Sequence, residues 1–169
     1  MSRGFVKEDD QEEVPIVPPR ADLPAGATNY VTPRGMEALL SEKNSMISER
    51  EAIDLDNESE RRIAVNHLNA KLQLLNDRIR SAKVVEPKGQ PHDEVRFGAT
   101  VSLKIDGSKK THSYQITGVD EADIAHGKIA FVSPIAKLLT NKRVGDKVVL
   151  KLIRGDRVFE ILDIAYDSK

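Results

Sequence analysis

Val65-Asn66-His67-Leu68-Asn69-Ala70-Lys71-Leu72-Gln73-Leu74-Leu75-Asn76-Asp77-Arg78-Ile79-Arg80-Ser81-Ala82 is the stretch that decides the fold of the N-terminal half. Its apolar residues Val65, Leu68, Leu72, Leu75, Ile79 and Ala82 alternate spacings of three and four. That alternation is the seam of a helix packing lengthwise against another. The pattern predicts a helix from about Ser59 to Val84. Upstream, Thr32 is a good N-cap and Pro33 suits a first helical position, so a first helix is expected from there to about Ile53. Its positions Met36, Leu39, Lys43, Met46, Arg50 and Ile53 follow the same alternation and mirror the second series about residue 59. The two helices should therefore form an antiparallel coiled-coil hairpin over residues 32–86, with its turn between about Asp54 and Arg62. Lys43 and Arg50 would lay their stems over the seam while their charges reach water. Each arm would be on the order of 30 Å long at about 1.5 Å per residue.

On the N-terminal side, residues 1–31 lack apolar periodicity and contain Val14-Pro15-Ile16-Val17-Pro18-Pro19-Arg20. They read as an extended or disordered arm. It is acidic: Glu8, Asp9, Asp10, Glu12, Glu13 and Asp22 stand against Arg3, Lys7 and Arg20. On the C-terminal side, Pro87-Lys88-Gly89-Gln90-Pro91 ends the helix and opens a linker over residues 87–94. Residues 95–169 are β-rich, with strands expected at Val95–Ile105, Ser113–Thr117, Ile129–Val132, Lys147–Ile153 and Val158–Ala165. Turns are expected at Asp106-Gly107 and Gly155-Asp156, and a short helix at Ile135–Thr140 with Ser133 as cap and Pro134 at its first position. The fold class is α+β, and about 78 residues suffice for a small, marginal second core.

Composition narrows the chemistry. The chain is 39% apolar and 31% charged with a net charge of −1. No apolar run approaches the roughly 20 residues that span a bilayer, and Met1–Glu13 lacks a secretory core, so a cytoplasmic protein without membrane contact is expected. Without cysteine there is no thiolate ligand or nucleophile. His67, His92, His112 and His126 show no ligand spacing, and the glycines are spread as turns rather than gathered in a phosphate loop. Residues 137–157 hold seven bases (Lys137, Lys142, Arg143, Lys147, Lys151, Arg154, Arg157) against Asp146 and Asp156. Such a face suits nucleic acid, DNA included, or an acidic protein; equally, it suits solvated strand edges.

The hairpin turn carries Asp54, Asp56, Glu58 and Glu60. Carboxylates on a tip can share a hard divalent cation or act as a base on water once a partner completes the site. Alternatively, Asp56, Asn57 or Ser59 caps the second helix while the acids favour its positive end.

Further motifs follow in order: Phe97-Gly98-Ala99-Thr100-Val101, Ile116-Thr117-Gly118-Val119-Asp120-Glu121-Ala122-Asp123, Ser133-Pro134-Ile135-Ala136-Lys137-Leu138-Leu139 and Lys142-Arg143-Val144-Gly145-Asp146. With the preceding helical hairpin, they resemble the Gre family of bacterial transcript-cleavage factors over about residues 32–166. The resemblance implies an FKBP-like C-terminal domain that docks at the secondary channel of RNA polymerase, and a coiled coil that enters it. Ser133, Pro134 and Ala136 would belong to the docking contact. Tip carboxylates would help the polymerase hold a second Mg²⁺ and activate water, so that backtracked RNA is cut. The protein would then be an accessory factor and not itself an enzyme, a monomer with no cofactor of its own, sharing Mg²⁺ with RNA polymerase and meeting the RNA 3′ end only indirectly. The family's tip pattern, Gly-Asp-Leu-x-Glu-Asn, meets Asp54-Leu55-Asp56-Asn57-Glu58 here, which places Asn57 at the glutamate position and Glu58 one residue later. Asp54 and Glu58 are the expected metal-sharing pair, with Asp56 as a substitute. The arms are roughly two turns shorter than the family's usual ones at 3.6 residues per turn. A non-cleaving channel regulator that competes with other factors is therefore the alternative. A prolyl isomerase would need an aromatic-lined pocket, whereas Phe97, Tyr114, Phe131, Phe159 and Tyr166 are expected to face the core. A generic coiled-coil adaptor would need no tip acids.

Overall fold

The computed structural model describes residues 15–167. The acids Glu8, Asp9, Asp10, Glu12 and Glu13 of the expected arm lie outside them. In chain order the elements are β1 (Asn29–Val31), α1 (Pro33–Glu51), α2 (Glu58–Ser81), β2 (Ala82–Val84), β3 (Thr100–Ile105), β4 (Thr111–Thr117), β5 (Lys128–Ala130), α3 (Pro134–Leu139), β6 (Lys147–Leu152) and β7 (Gly155–Ala165), with short 3-10 turns at Pro87–Gly89 and Ile124–His126.

Helix α1 starts where local chemistry dictates. Thr32 is extended, its hydroxyl accepts from the Gly35 amide at 2.9 Å, and Pro33 loses no bond at the first position. The helix stops at Glu51, two residues short of the expectation, with Ala52 as its C-cap. Helices α1 and α2 pack side by side, and the predicted seam residues Leu68, Leu72 and Leu75 are buried along α2. Lys43 and Arg50 are half-buried, and Arg50 reaches across to donate to Asn69 Oδ1 at 2.7 Å.

The second helix ends at Ser81 rather than running to Val84, because Ala82–Val84 turns extended and pairs in parallel with Asn29–Val31. Strand β1 corrects the reading of residues 1–31 as arm alone: three residues are too few to show alternation, and their partner lies some fifty residues later. Asn29 secures the pair by donating to the Arg78 carbonyl at 2.9 Å and the Ser81 hydroxyl at 3.2 Å. At this foot Val31, Leu39 and Leu75 form a small core, flanked by Met36, Met46, Ile79 and Ala82.

A second, larger core belongs to a five-stranded sheet of order β5-β4-β3-β7-β6, antiparallel except for β4 with β5. Val101 and Leu103 alternate inward along β3 while Thr100, Ser102 and Lys104 do not, and Ala136 and Leu139 of α3 pack into the same core. The expected strand from Val95 begins only at Thr100. Gly98 has a φ of +88°, and the Ala99 amide turns back onto the Arg96 carbonyl. The β6–β7 turn is centred on Ile153 and Arg154, with Leu152 opposite Gly155, two residues before the expected Gly155-Asp156. Tyr166 closes the domain, donating to the Glu94 carbonyl and accepting from the Arg96 amide; burial pushes its phenol up. A parallel pair cannot be joined by a tight hairpin, so residues 118–127 loop out between β4 and β5. That loop touches the foot of the helices.

Leu75 is fully buried at the narrowest core, so Leu75→Ala should cost about 3 kcal/mol of folding stability in urea titration. A loss under about 1 kcal/mol would mean that the helical pair does not rely on this contact.

Candidate functional site: an acidic tip on a clamped helical pair

Six residues, 52–57, connect the helices, and Asn57 ends them as the N-cap of α2: its Oδ1 accepts from the Glu60 amide at 3.1 Å. Of the three capping candidates in the sequence, Asn57 takes the role, which frees Asp56 and Ser59. Asp54, Asp56, Glu58 and Glu60 are all exposed, with Glu58 and Glu60 in the first turn of α2, where the helix dipole favours negative charge. From Arg78 near the foot to Glu58, 20 residues of α2 place these carboxylates about 30 Å from the β4–β5 loop. Among the described residues no three His, Asp or Glu side chains come together as a metal-ligand group. The described tip carboxylates therefore do not by themselves gather the octahedral oxygen set that Mg²⁺ prefers.

The docking residues expected from the resemblance lie together at the start of α3 but differ in exposure. Ser133 caps α3, accepting from the Ala136 amide at 3.4 Å, and Pro134 is exposed. Ala136 has no exposed surface and sits in the sheet core. The seven bases of residues 137–157 are all exposed, but on β6 Lys147 lies opposite Glu160 and Lys151 opposite Asp156, so part of the positive charge is answered within the sheet. Phe97, Phe131 and Tyr30 form a triangle of rings with centroids 5.5–5.8 Å apart.

Sequence reasoning missed the residues that hold the helical pair onto the sheet domain. Asp120, in the β4–β5 loop, receives Arg20 Nε at 3.0 Å, and Arg78 Nε lies 3.1 Å from its other oxygen as an ion pair. The Arg20 fork donates to both oxygens of Glu42 on α1 at 2.8 and 2.9 Å, and Arg78 also donates to the Ala21 carbonyl. The bond to Glu42 is the main cause holding the Arg20 guanidinium more firmly protonated than usual; burial opposes it, and Asp120 reinforces it. Thr32 donates to Glu121. Gly118 and Gly35 make the approach possible: a Cβ on Gly118 would lie 2.6 Å from the Tyr30 carbonyl oxygen, and one on Gly35 2.8 Å from Glu121 Oε1. These partners lie 22 to 100 positions apart, so no local spacing marks them.

Residues 90–166 match the family model described as transcription elongation factor, GreA/GreB, C-term. Across most of its length the chain is also similar to transcription elongation factor GreB of Neisseria meningitidis serogroup A: 32% identical over 154 residues, covering 82% of this chain and 94% of the relative. The chain belongs to the GreA/GreB family. It is 36% identical over 99 residues to transcription elongation factor GreA of Syntrophotalea carbinolica, a match that covers 59% of this Gre chain and spans 63% of that relative's length. The structure of GreA factor homolog 1 (Gfh1) of Thermus thermophilus aligns with 82% of this Gre chain and 99% of its own, at 22% identity and a TM-score of 0.39. Among the described residues no helix is long and apolar enough to cross a membrane.

The tip of this Gre protein has little packing of its own, so its order depends on the cap. Asn57→Ala should lower stability by about 1 kcal/mol and fray the first turn of α2, read by thermal melting and by amide exchange at Glu60. An unchanged exchange rate there would show that the cap does not hold the tip.

Proposed function

We propose that this Gre factor docks on RNA polymerase through an FKBP-like C-terminal domain, inserts its helical pair as a coiled coil into the secondary channel, and stimulates the polymerase's own cleavage of backtracked RNA. The observation that carries this reading is four exposed carboxylates held about 30 Å from the sheet domain on paired helices. Exposed Pro134, with partly buried Ser133 beside it, would supply the docking contact. Asp54 and Glu58 would share Mg²⁺ with the polymerase, which when bound supplies Lewis acidity toward the scissile phosphate and the attacking water. Within this chain Asp54 and Glu58 present oxygens that accept from water and neighbouring donors, and Asp56 stands between them as a further acceptor. The RNA 3′ end is met only indirectly, through the polymerase. The factor works as a cytoplasmic monomer, and the bond-making chemistry remains with the polymerase.

A second reading draws on Asn57. The side chain at the family's glutamate position is committed to capping α2, and this favours a channel-binding regulator that does not cleave and competes with other factors.

Stalled, backtracked polymerase separates the two. Added protein should increase short 3′ RNA products, and Asp54→Ala with Glu58→Ala should reduce that increase roughly 100-fold while leaving binding intact. Binding accompanied by inhibition, with no short products from the wild-type protein, would establish the regulator instead.

A further inference from the structure

We infer that Arg20 is a positioning residue: it braces the helical pair against the β4–β5 loop and so sets the direction in which the tip carboxylates point. The inference rests on the proposed role of the tip for its functional consequence, and on geometry alone for the brace.

Two sets of contacts join the helices to the sheet domain. The first lies at the foot itself: Thr32 on Glu121, Gly118 against the Tyr30 carbonyl, and the Tyr30 ring between Phe97 and Phe131. Contacts gathered at one end of a rod fix where it stands better than the angle at which it stands. The second set runs diagonally. Arg20 takes hold of Glu42, nine residues and about 14 Å up α1 from Pro33, and with the same guanidinium takes hold of Asp120 on the sheet domain. Arg78 of α2 presses the same carboxylate from the other helix.

The chemistry of the brace suits a fixed angle. Three guanidinium donors are satisfied at 2.8–3.0 Å by two carboxylates on two different bodies. A planar fork fixes both directions at once, which an ammonium on a flexible stem does not. The side chains of Arg20, Arg78 and Asp120 are only 18%, 12% and 8% exposed, so solvent competes weakly. Lever arithmetic gives the consequence: a tilt of about 10° at the foot moves a tip about 30 Å away by about 5 Å. Reacting groups tolerate displacements nearer 1 Å before rates fall by roughly a hundredfold.

The chain has no cysteine, so spin labels at Ser59→Cys, beside the tip, and Lys109→Cys, in the β3–β4 turn, report the angle in the full-length protein. Arg20→Ala should widen the distance distribution between them at least about twofold, and Arg20→Lys should leave it wide. Glu42→Gln attacks the brace from its more exposed end, 38% accessible, where folding is least at risk, and should widen the distribution in the same way. A width unchanged in both Arg20→Ala and Glu42→Gln overturns the brace. With polymerase, Arg20→Ala should lower the maximal cleavage rate about tenfold at unchanged half-saturating concentration, since the docking patch is untouched. Wild-type protein that fails to cleave sinks the tip's role and leaves the distance result standing. A widened distribution with undiminished cleavage overturns Arg20 as a positioning residue.

Discussion

The carboxylate of Asp120 is the point on which the architecture turns. It is largely removed from water in a surface loop, and such a charge is tolerated only when cations and donors replace its hydration. Here Arg20, in the irregular segment before β1, donates to one oxygen, while Arg78, near the end of α2, faces the other as an ion pair without a hydrogen bond. Ion pairs of this kind contribute little net free energy, because desolvation offsets most of the attraction. What they do impose is geometry: a guanidinium that serves two carboxylates cannot move relative to either without leaving one unpaired.

The division of the molecule into two cores explains why the geometry matters. The sheet domain buries its own apolar residues around Val101, Leu103, Ile116 and Ile161, and the helices bury theirs around Leu39 and Leu75. Between the two lies a junction of small residues, polar contacts and one aromatic triangle rather than a continuous apolar layer. Two glycines permit backbone and carboxylate to approach more closely than any side chain allows. Away from this junction the helical pair narrows to the buried Leu68 and Leu72, the Arg50–Asn69 bond and the Asn57 cap. Among the described residues, Asp54, Asp56, Glu58 and Glu60 stay exposed at that end.

Much of this was legible in the sequence because it is local or periodic. The spacing of Val65, Leu68, Leu72 and Leu75 announces a packed helix, Thr32-Pro33 and Ser133-Pro134 announce helix starts, and four acids between two helical stretches announce a charged turn. Each signal arises from residues within a turn or two of one another. The reading faltered where the relevant neighbour was distant. Asn29–Val31 became a strand only because Ala82–Val84 comes to lie beside it, and α2 stopped early for the same reason. The helix that Ser133 caps turns the Ala136 side chain into the core, a burial that depends on strands distant in the chain.

Local chemistry in the chain thus determined the helices, most of the strands, the caps and the acidic character of the tip, since those depend on backbone preferences and on periodic burial. Only the tertiary structure decided which way the tip faces. Arg20, Glu42, Arg78 and Asp120 are unremarkable charges when read in order, and any of them would be content in water. Folding brings them together from positions up to 100 residues apart and withdraws the solvent, and only then does a guanidinium's fixed fork become a constraint on direction.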